Sequence, residues 1–189
     1  MCLVNAQSPA PISKIILPLI LSAVYVNFFY QALILNGNFL ERIQSLFEQV
    51  TGARMMHNYI RIGGVKQDLP PEFKDKLNAV VLELEKAIEE CDELLTQNEA
   101  FLARTKNISC LTIEDAVNFG VTGPILRSTG LIEDVRISEP YGIYDRFDFG
   151  IPIGSTGDCW DRYYIRMQEM RESLSIIKQA IKQMEPGEV

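Results

Sequence analysis

The apolar positions of the chain fall into helical stripes divided by glycine and proline. After the turn signal Asn36-Gly37-Asn38, residues Phe39, Leu40, Ile43, Leu46, Phe47 and Val50 recur at the intervals that share one helical face, predicting a helix over 39–51 that ends near Gly52. The stretch TGARMMHNYIRIGGVKQDLPPEF follows, and its Gly63-Gly64 and Pro70-Pro71 predict a loop with fixed backbone demands. A second stripe, Phe73, Leu77, Val80, Leu84, Ala87, Cys91 and Leu94, has Lys and Glu on the other faces and predicts a helix over 73–102. The third is the longest: Trp160, Tyr163, Met167, Met170, Leu174, Ile177, Ile181 and Met184 are separated by 3, 4, 3, 4, 3, 4 and 3, the seam of one packed helix over 158–184. Asp158 and Asp161 at its start, with Lys178 and Lys182 near its end, offset the helix dipole, and Pro186-Gly187 stops it.

Weaker signals lie between. Thr112 and Asp115 predict a short capped helix reaching about Phe119, and GVTGPILRSTG predicts a second glycine-proline loop. Ile143, Asp145, Phe147, Phe149, Ile151 and Ile153 share one side of an extended segment, which predicts a strand that Pro152 places at an edge. The expected class is therefore α+β, predominantly α, a long-helix bundle with a small β element. Residues 1–36 stand apart. Ile15–Leu35 carries no charge and is long enough to cross a ~30 Å hydrocarbon layer, so it reads either as a membrane helix or signal anchor, or as a buried helix of a larger assembly.

Composition narrows the function classes. At 189 residues and 47% hydrophobic the chain can bury an ordinary core and is not a disordered or fibrous protein. With 18 Lys+Arg against 25 Asp+Glu, the net charge of -7 opposes attraction to phosphate and argues against nucleic acid. Cys2, Cys91, Cys110 and Cys159 form no C-x-x-C pair, so a zinc site or disulfide framework is not indicated and a reducing compartment fits.

No self-contained catalytic set emerges, and no catalytic or metal-binding residue is assigned. His57 is the only histidine and has no nucleophile that spacing can nominate; a lone histidine is usually structural. Gly63-Gly64 lacks the context of a nucleotide-binding loop, and the acidic run around Glu83, Glu85, Glu89, Glu90, Asp92 and Glu93 reads as a solvated face. What remains is a set of arginines and acids: Arg54, Arg61, Arg127, Arg136, Arg162 and Arg166 with Asp134, Asp145, Asp158 and Asp161. Arginine's planar fork suits structural ion pairs with buried or interfacial carboxylates, and it can equally hold charge beside a redox centre.

Three long motifs carry a resemblance: TGARMMHNYIRIGGVKQDLP; NFGVTGPILRSTGL followed by Asp134-Val135-Arg136; and YGIYDRFDFGIPIGSTGDCWDRYYIRMQEMRESLSIIKQAIKQMEPGEV. In this order they resemble the 49 kDa-type (D) subunit of respiratory complex I, a family related to the large subunit of nickel-iron hydrogenases, over residues 37–189. The resemblance implies a hydrogenase large-subunit-like core and a place in the peripheral arm of NADH:quinone oxidoreductase. Its partners there would be the other peripheral-arm subunits, notably the one carrying the terminal iron-sulfur cluster, and the membrane-arm subunit that completes the quinone chamber. Quinone and NAD are substrates of that complex, FMN and the iron-sulfur clusters belong to partner subunits, and this chain alone would bind no cofactor. The family helps form the quinone-reduction site, coupled to proton translocation, on the cytoplasmic side of a bacterial inner membrane or, as a second choice, in an organelle.

Within G-A-R-M-x-x-x-Y-I-R-x-G-G-V, Arg61 matches a family arginine near the terminal cluster, and Arg54 and His57 accompany it. Many relatives carry histidine five residues before that arginine; Met56 occupies the position here and the histidine is His57. The family's quinone ligands, a histidine in an N-terminal β hairpin and a tyrosine in the next helix, have no counterpart in these residues, nor does its long C-terminal segment. The sequence thus reads as an internal fragment: a non-family segment over 1–36 and part of the family's domain over 37–189. Isolated, it is expected to be inactive, with helical seams exposed where family elements are lacking. The alternative is a non-catalytic structural or interaction module, possibly anchored in a membrane through Ile15–Leu35.

Overall fold

A computed structural model describes residues 37–62 and 64–184. The predicted membrane or buried helix at Ile15–Leu35 therefore lies outside the described residues. The chain forms two compact units, one from residues up to Glu83 together with Ile177 onward, the other Leu84–Ile176.

In the first unit, α1 spans Gly37–Thr51 and buries Ile43, Leu46, Phe47 and Val50, the stripe its periodicity predicts. It stops at Gly52, whose positive φ of 77° a glycine adopts without strain and whose N–H donates to the Glu48 carbonyl at 2.8 Å. A two-stranded antiparallel hairpin follows, β1 (Ile60–Arg61) on β2 (Gly64–Val65), with Ile60 opposite Val65 and Arg61 opposite Gly64. It lies on the segment that the glycines marked as a loop. The start of α2 (Phe73–Cys91) and the end of α7 (Cys159–Gln183) complete this unit, with Phe73, Leu77, Val81, Ile177, Ala180 and Ile181 buried.

The second unit departs more from expectation. The helix predicted over 73–102 is broken: α2 ends at Cys91, a π-helical turn occupies Asp92–Thr96, and α3 (Glu99–Thr105) starts afresh. Polar side chains cause the break. Asn98 caps α3 by accepting from the amides of Ala100 at 3.0 Å and Phe101 at 3.2 Å, while Asp92 accepts from Thr96 Oγ1 and from Arg171, both at 2.5 Å. Before the break the buried face runs Phe73, Leu77, Val81, Leu84, Ile88 and Cys91 at ordinary helical spacing, so Val81 and Ile88 are buried where Val80 and Ala87 were expected; within the π turn Leu94 is exposed.

The capped helix at Thr112 is present as α4 (Ile113–Asn118), with Thr112 Oγ1 accepting from the Asp115 amide at 3.1 Å. Inside the predicted second loop lies α5 (Gly123–Ser128), because Pro124 falls in its first turn, where a missing N–H removes no helix bond. The strand predicted over 143–153 is absent: α6 (Val135–Ser138) and a 3₁₀ turn (Tyr144–Arg146) precede an extended stretch with no partner strand among the described residues. The turn buries Ile143, Tyr144 and Phe147 instead of alternating them, so the hairpin at Ile60–Val65 is the small β element. Every other regular element among the described residues is helical.

In α7, Met167, Met170, Leu174, Ile177 and Ile181 are buried as the seam predicts, but so are Ile165, Ile176, Ala180, Glu169 and Ser173. The helix is covered on most sides, so its stripe understates its burial. Most seam positions of these helices are thus buried; Leu94 is exposed, as are Leu82 on α2 and Tyr164 on α7, and the other exposed apolar side chains lie in the hairpin segment and in or near the short helices. Among the described residues, no helix is long and apolar enough to cross a membrane.

Candidate functional site

The segment between α1 and α2 carries Arg54, His57 and Arg61. Arg54 leans back on α1, bonded to Glu41 at 2.5 Å and Gln44 at 3.2 Å, with Glu48 at 3.7 Å. The hydrogen bond and charge of Glu41 hold its guanidinium above the ordinary value. His57 rests its ring against Phe47, centroids 5.2 Å apart, and its Nδ1 lies 3.1 Å from the Ala53 carbonyl and 3.3 Å from Thr51 Oγ1. A carbonyl can only accept, so this contact places the proton of a neutral ring on Nδ1. Both residues are fastened to α1.

Arg61 differs. It ends β1 with an exposed side chain, and among the described residues it has no ion-pair partner. On the same segment Met55, Met56, Ile60 and Ile62 are exposed, Met56 by 89% and Ile62 by 103% of their reference areas. Met56 and Asn58 also hold positive φ, 53° and 39°, which side chains rarely adopt and which surrounding bonds must maintain. An exposed cation without an ion-pair partner among the described residues, on a segment that exposes four apolar side chains, has the chemistry of a contact surface.

That surface is built on three residues the sequence did not single out. Tyr59 is buried, its phenol pushed up chiefly by burial and donating to the Gln67 carbonyl at 2.7 Å. Gln67 Nε2 donates to the Val50 carbonyl at 2.5 Å, and Lys66 Nζ donates to the Thr51 carbonyl at 3.3 Å.

Most of the other arginines and acids are spent internally. Arg127 is buried and pairs with buried Glu169, its Nε at 2.9 Å from the carboxylate; its Nη1 donates to the Glu133 carbonyl at 2.9 Å and lies 3.7 Å from Asp134. Asp134 in turn accepts from Arg136 at 2.5 to 3.1 Å, and that guanidinium sits 4.9 Å from the Phe149 ring. Glu169 is the member sequence could not nominate, since nothing separates it from the other glutamates of α7. Asp158 and Asp161 order the entry to α7: Asp158 accepts from the Asp161 and Asn107 amides, each at 2.7 Å, and Asp161 accepts from the amides of Ser155, Thr156 and Gly157. Arg162 donates to the Gly157 carbonyl at 2.9 Å, Arg166 to the Arg162 carbonyl at 2.7 Å, and Asp145 is exposed. Structural pairing and capping thus account for this part of the set.

No described group of three or more His, Cys, Asp or Glu could hold a metal ion, and the described cysteines range from buried Cys91 to exposed Cys110.

Comparison with known sequences identifies the scaffold. Residues 35–189 match the family described as respiratory-chain NADH dehydrogenase, 49 Kd subunit, and the chain belongs to that family. Among its relatives, a D subunit of the NADH-quinone oxidoreductase of Roseiflexus sp. is 50% identical over 144 residues, 76% of this chain and 38% of that protein. The corresponding D subunit of Desulforamulus reducens is 46% identical over 149 residues, 79% of this chain and 41% of its own length. The NADH-ubiquinone oxidoreductase 49 kDa subunit of Cafeteria roenbergensis is 44% identical over 149 residues, 79% and 37% of the two chains. The chain therefore spans about two-fifths of the length of the relatives it matches.

Proposed function

We propose that this chain serves in a peripheral-arm D subunit of NADH:quinone oxidoreductase, with residues 37–189 as a partial family domain that helps form the quinone-reduction site coupled to proton translocation. The observation that carries the reading is Arg61: a family-matched cation, exposed and without an ion-pair partner among the described residues, on a segment that also exposes Met55, Met56, Ile60 and Ile62. In this reading the hairpin segment docks on the subunit that carries the terminal iron-sulfur cluster, on the cytoplasmic face of a bacterial inner membrane. A cluster gains negative charge on reduction, and a nearby guanidinium stabilises that reduced state. Arg54, already paired with Glu41, contributes less net positive field than Arg61, and His57 supports the segment through α1.

The test is Arg61→Met in the assembled oxidoreductase. We expect assembly to persist while the neighbouring cluster's midpoint potential falls and its electron paramagnetic resonance signal changes. An unchanged signal in assembled enzyme refutes the role of Arg61. Failure of the unaltered chain to copurify with the peripheral-arm subunits favours a non-catalytic structural module.

A further inference from the structure

We propose that Gln67, assisted by Lys66, is a positioning residue that locks the Arg61 hairpin onto the carboxyl end of α1. The inference rests on the reading of Arg61 above and adds the device that aims it.

The last carbonyls of a helix have no partner within it and must find donors elsewhere. In α1 the Glu48 carbonyl is satisfied by the Gly52 amide at 2.8 Å. Val50 and Thr51 lie beyond that bond, and α1 has no basic residue of its own in its last turn. Both donors come from the residues just after β2: Gln67 Nε2 bonds the Val50 carbonyl at 2.5 Å, and Lys66 Nζ bonds the Thr51 carbonyl at 3.3 Å. The lysine also places its charge at the negative end of the helix dipole.

Gln67 has a second attachment. Its own carbonyl accepts from the Tyr59 hydroxyl at 2.7 Å, and the Tyr59 carbonyl accepts from the Lys66 amide at 2.9 Å. Residues 59 and 66–67 thus bracket the hairpin, and through Gln67 the bracket is fixed to α1. A hairpin with a two-residue strand on each side has little stability of its own. Its direction, and with it that of Arg61, is set by this clamp. Gln67 suits the position because one residue both donates by its side chain and accepts by its backbone. Met at this position keeps the approximate length and the neutral charge but loses the donor.

The experiment compares Gln67→Met and Arg61→Met, singly and combined, in the assembled oxidoreductase; Gln67→Met removes the side-chain donor without changing charge, so any effect on a nearby redox centre comes through position. The clamp predicts that Gln67→Met lowers the neighbouring cluster's midpoint potential in the same direction as Arg61→Met and by less. It also predicts no further shift when Arg61 is already gone, since a positioning residue acts only through the group it places. Amide exchange of residues 60–65 should rise roughly fivefold in Gln67→Met, the effect of one lost hydrogen bond, with α7 unchanged. If Arg61→Met shifts the potential and Gln67→Met does not, or if their effects add, the clamp is wrong while the role of Arg61 stands. If Arg61→Met itself leaves the potential unchanged, the reading of Arg61 fails, and unchanged exchange in Gln67→Met separately overturns the clamp.

Discussion

The Arg127–Glu169 pair shows how a buried charge constrains its surroundings. Each side chain is less than a tenth exposed, so removing one leaves the other in a poorly solvating interior. Glu169→Ala should destabilise the chain by about 3–5 kcal/mol in urea unfolding. Arg127→Met combined with Glu169→Leu should be less harmful, because both desolvated charges disappear together. A double variant less stable than Glu169→Ala would contradict that account.

Asp134 gives a pH prediction with a definite sign. Burial alone would raise its carboxyl, but the hydrogen bonds and charge of Arg136, with the charge of Arg127, outweigh burial and hold it below the ordinary 3.8. Asp92 is lowered likewise, burial being outweighed by hydrogen bonds from Thr96 and Arg171 and the charge of Arg171. A folded-state pKa below the unfolded one stabilises the fold above the unfolded value, and that contribution is lost as pH falls through 3.8 and then through the lowered folded values. The urea midpoint should therefore drop across this acid window. In Arg136→Met the drop should be shallower, and an equally steep profile would show that Arg136 is not its source.

At the scale of elements, the entry to α7 depends on backbone fit as well as capping. A Cβ at Gly157 would stand 2.2 Å from the Leu111 carbonyl oxygen, at a φ of 66°, whereas one at Gly120, with φ 63°, would meet nothing within 4 Å. Gly120→Ala should cost about 1–2 kcal/mol from conformation alone. Gly157→Ala should lose clearly more in thermal unfolding, since backbone must also move. Asp158→Ala removes the acceptor for the Asp161 and Asn107 amides and should cost about 1–2 kcal/mol. Faster amide exchange in the first turn of α7 would report it.

The same elements show what was legible. Helices α1 and α7 could be read to within a few residues because long stripes at helical spacing record which face is buried. The break at Asp92–Thr96 could not, since it arises from Asp92, Thr96, Tyr163 and Arg171 meeting across 67 and 79 positions of sequence. Nor could the absence of a strand over 143–153, because alternation describes a possible strand but a ladder needs a neighbour. Arg54, His57 and Arg61 were nominated by motif alone, which could not say that Arg54 is paired and that Arg61 has no ion-pair partner among the described residues. Lys66 and Gln67 carry no signal at all until α1 presents its carbonyls to them.

For the molecule as a whole, exposed Met56 and Ile62 separate stability from assembly. Met56→Ser with Ile62→Ser should leave thermal stability within about 0.5 kcal/mol, as surface changes usually do. If the hairpin segment docks on a partner subunit, the same change should lower the yield of the chain copurified with the peripheral-arm subunits; an undiminished yield would remove that segment from the interface. By itself the sequence determined the family, the predominance of helix, the main buried stripes and the three candidate residues, because local periodicity and contiguous motifs are written along one chain. Only the folded arrangement decided which charges are consumed in pairs and caps, and that Arg61, unlike Arg54, has no ion-pair partner among the described residues. It also decided what holds Arg61 in place, because those outcomes depend on carbonyls, rings and carboxylates brought together from distant positions.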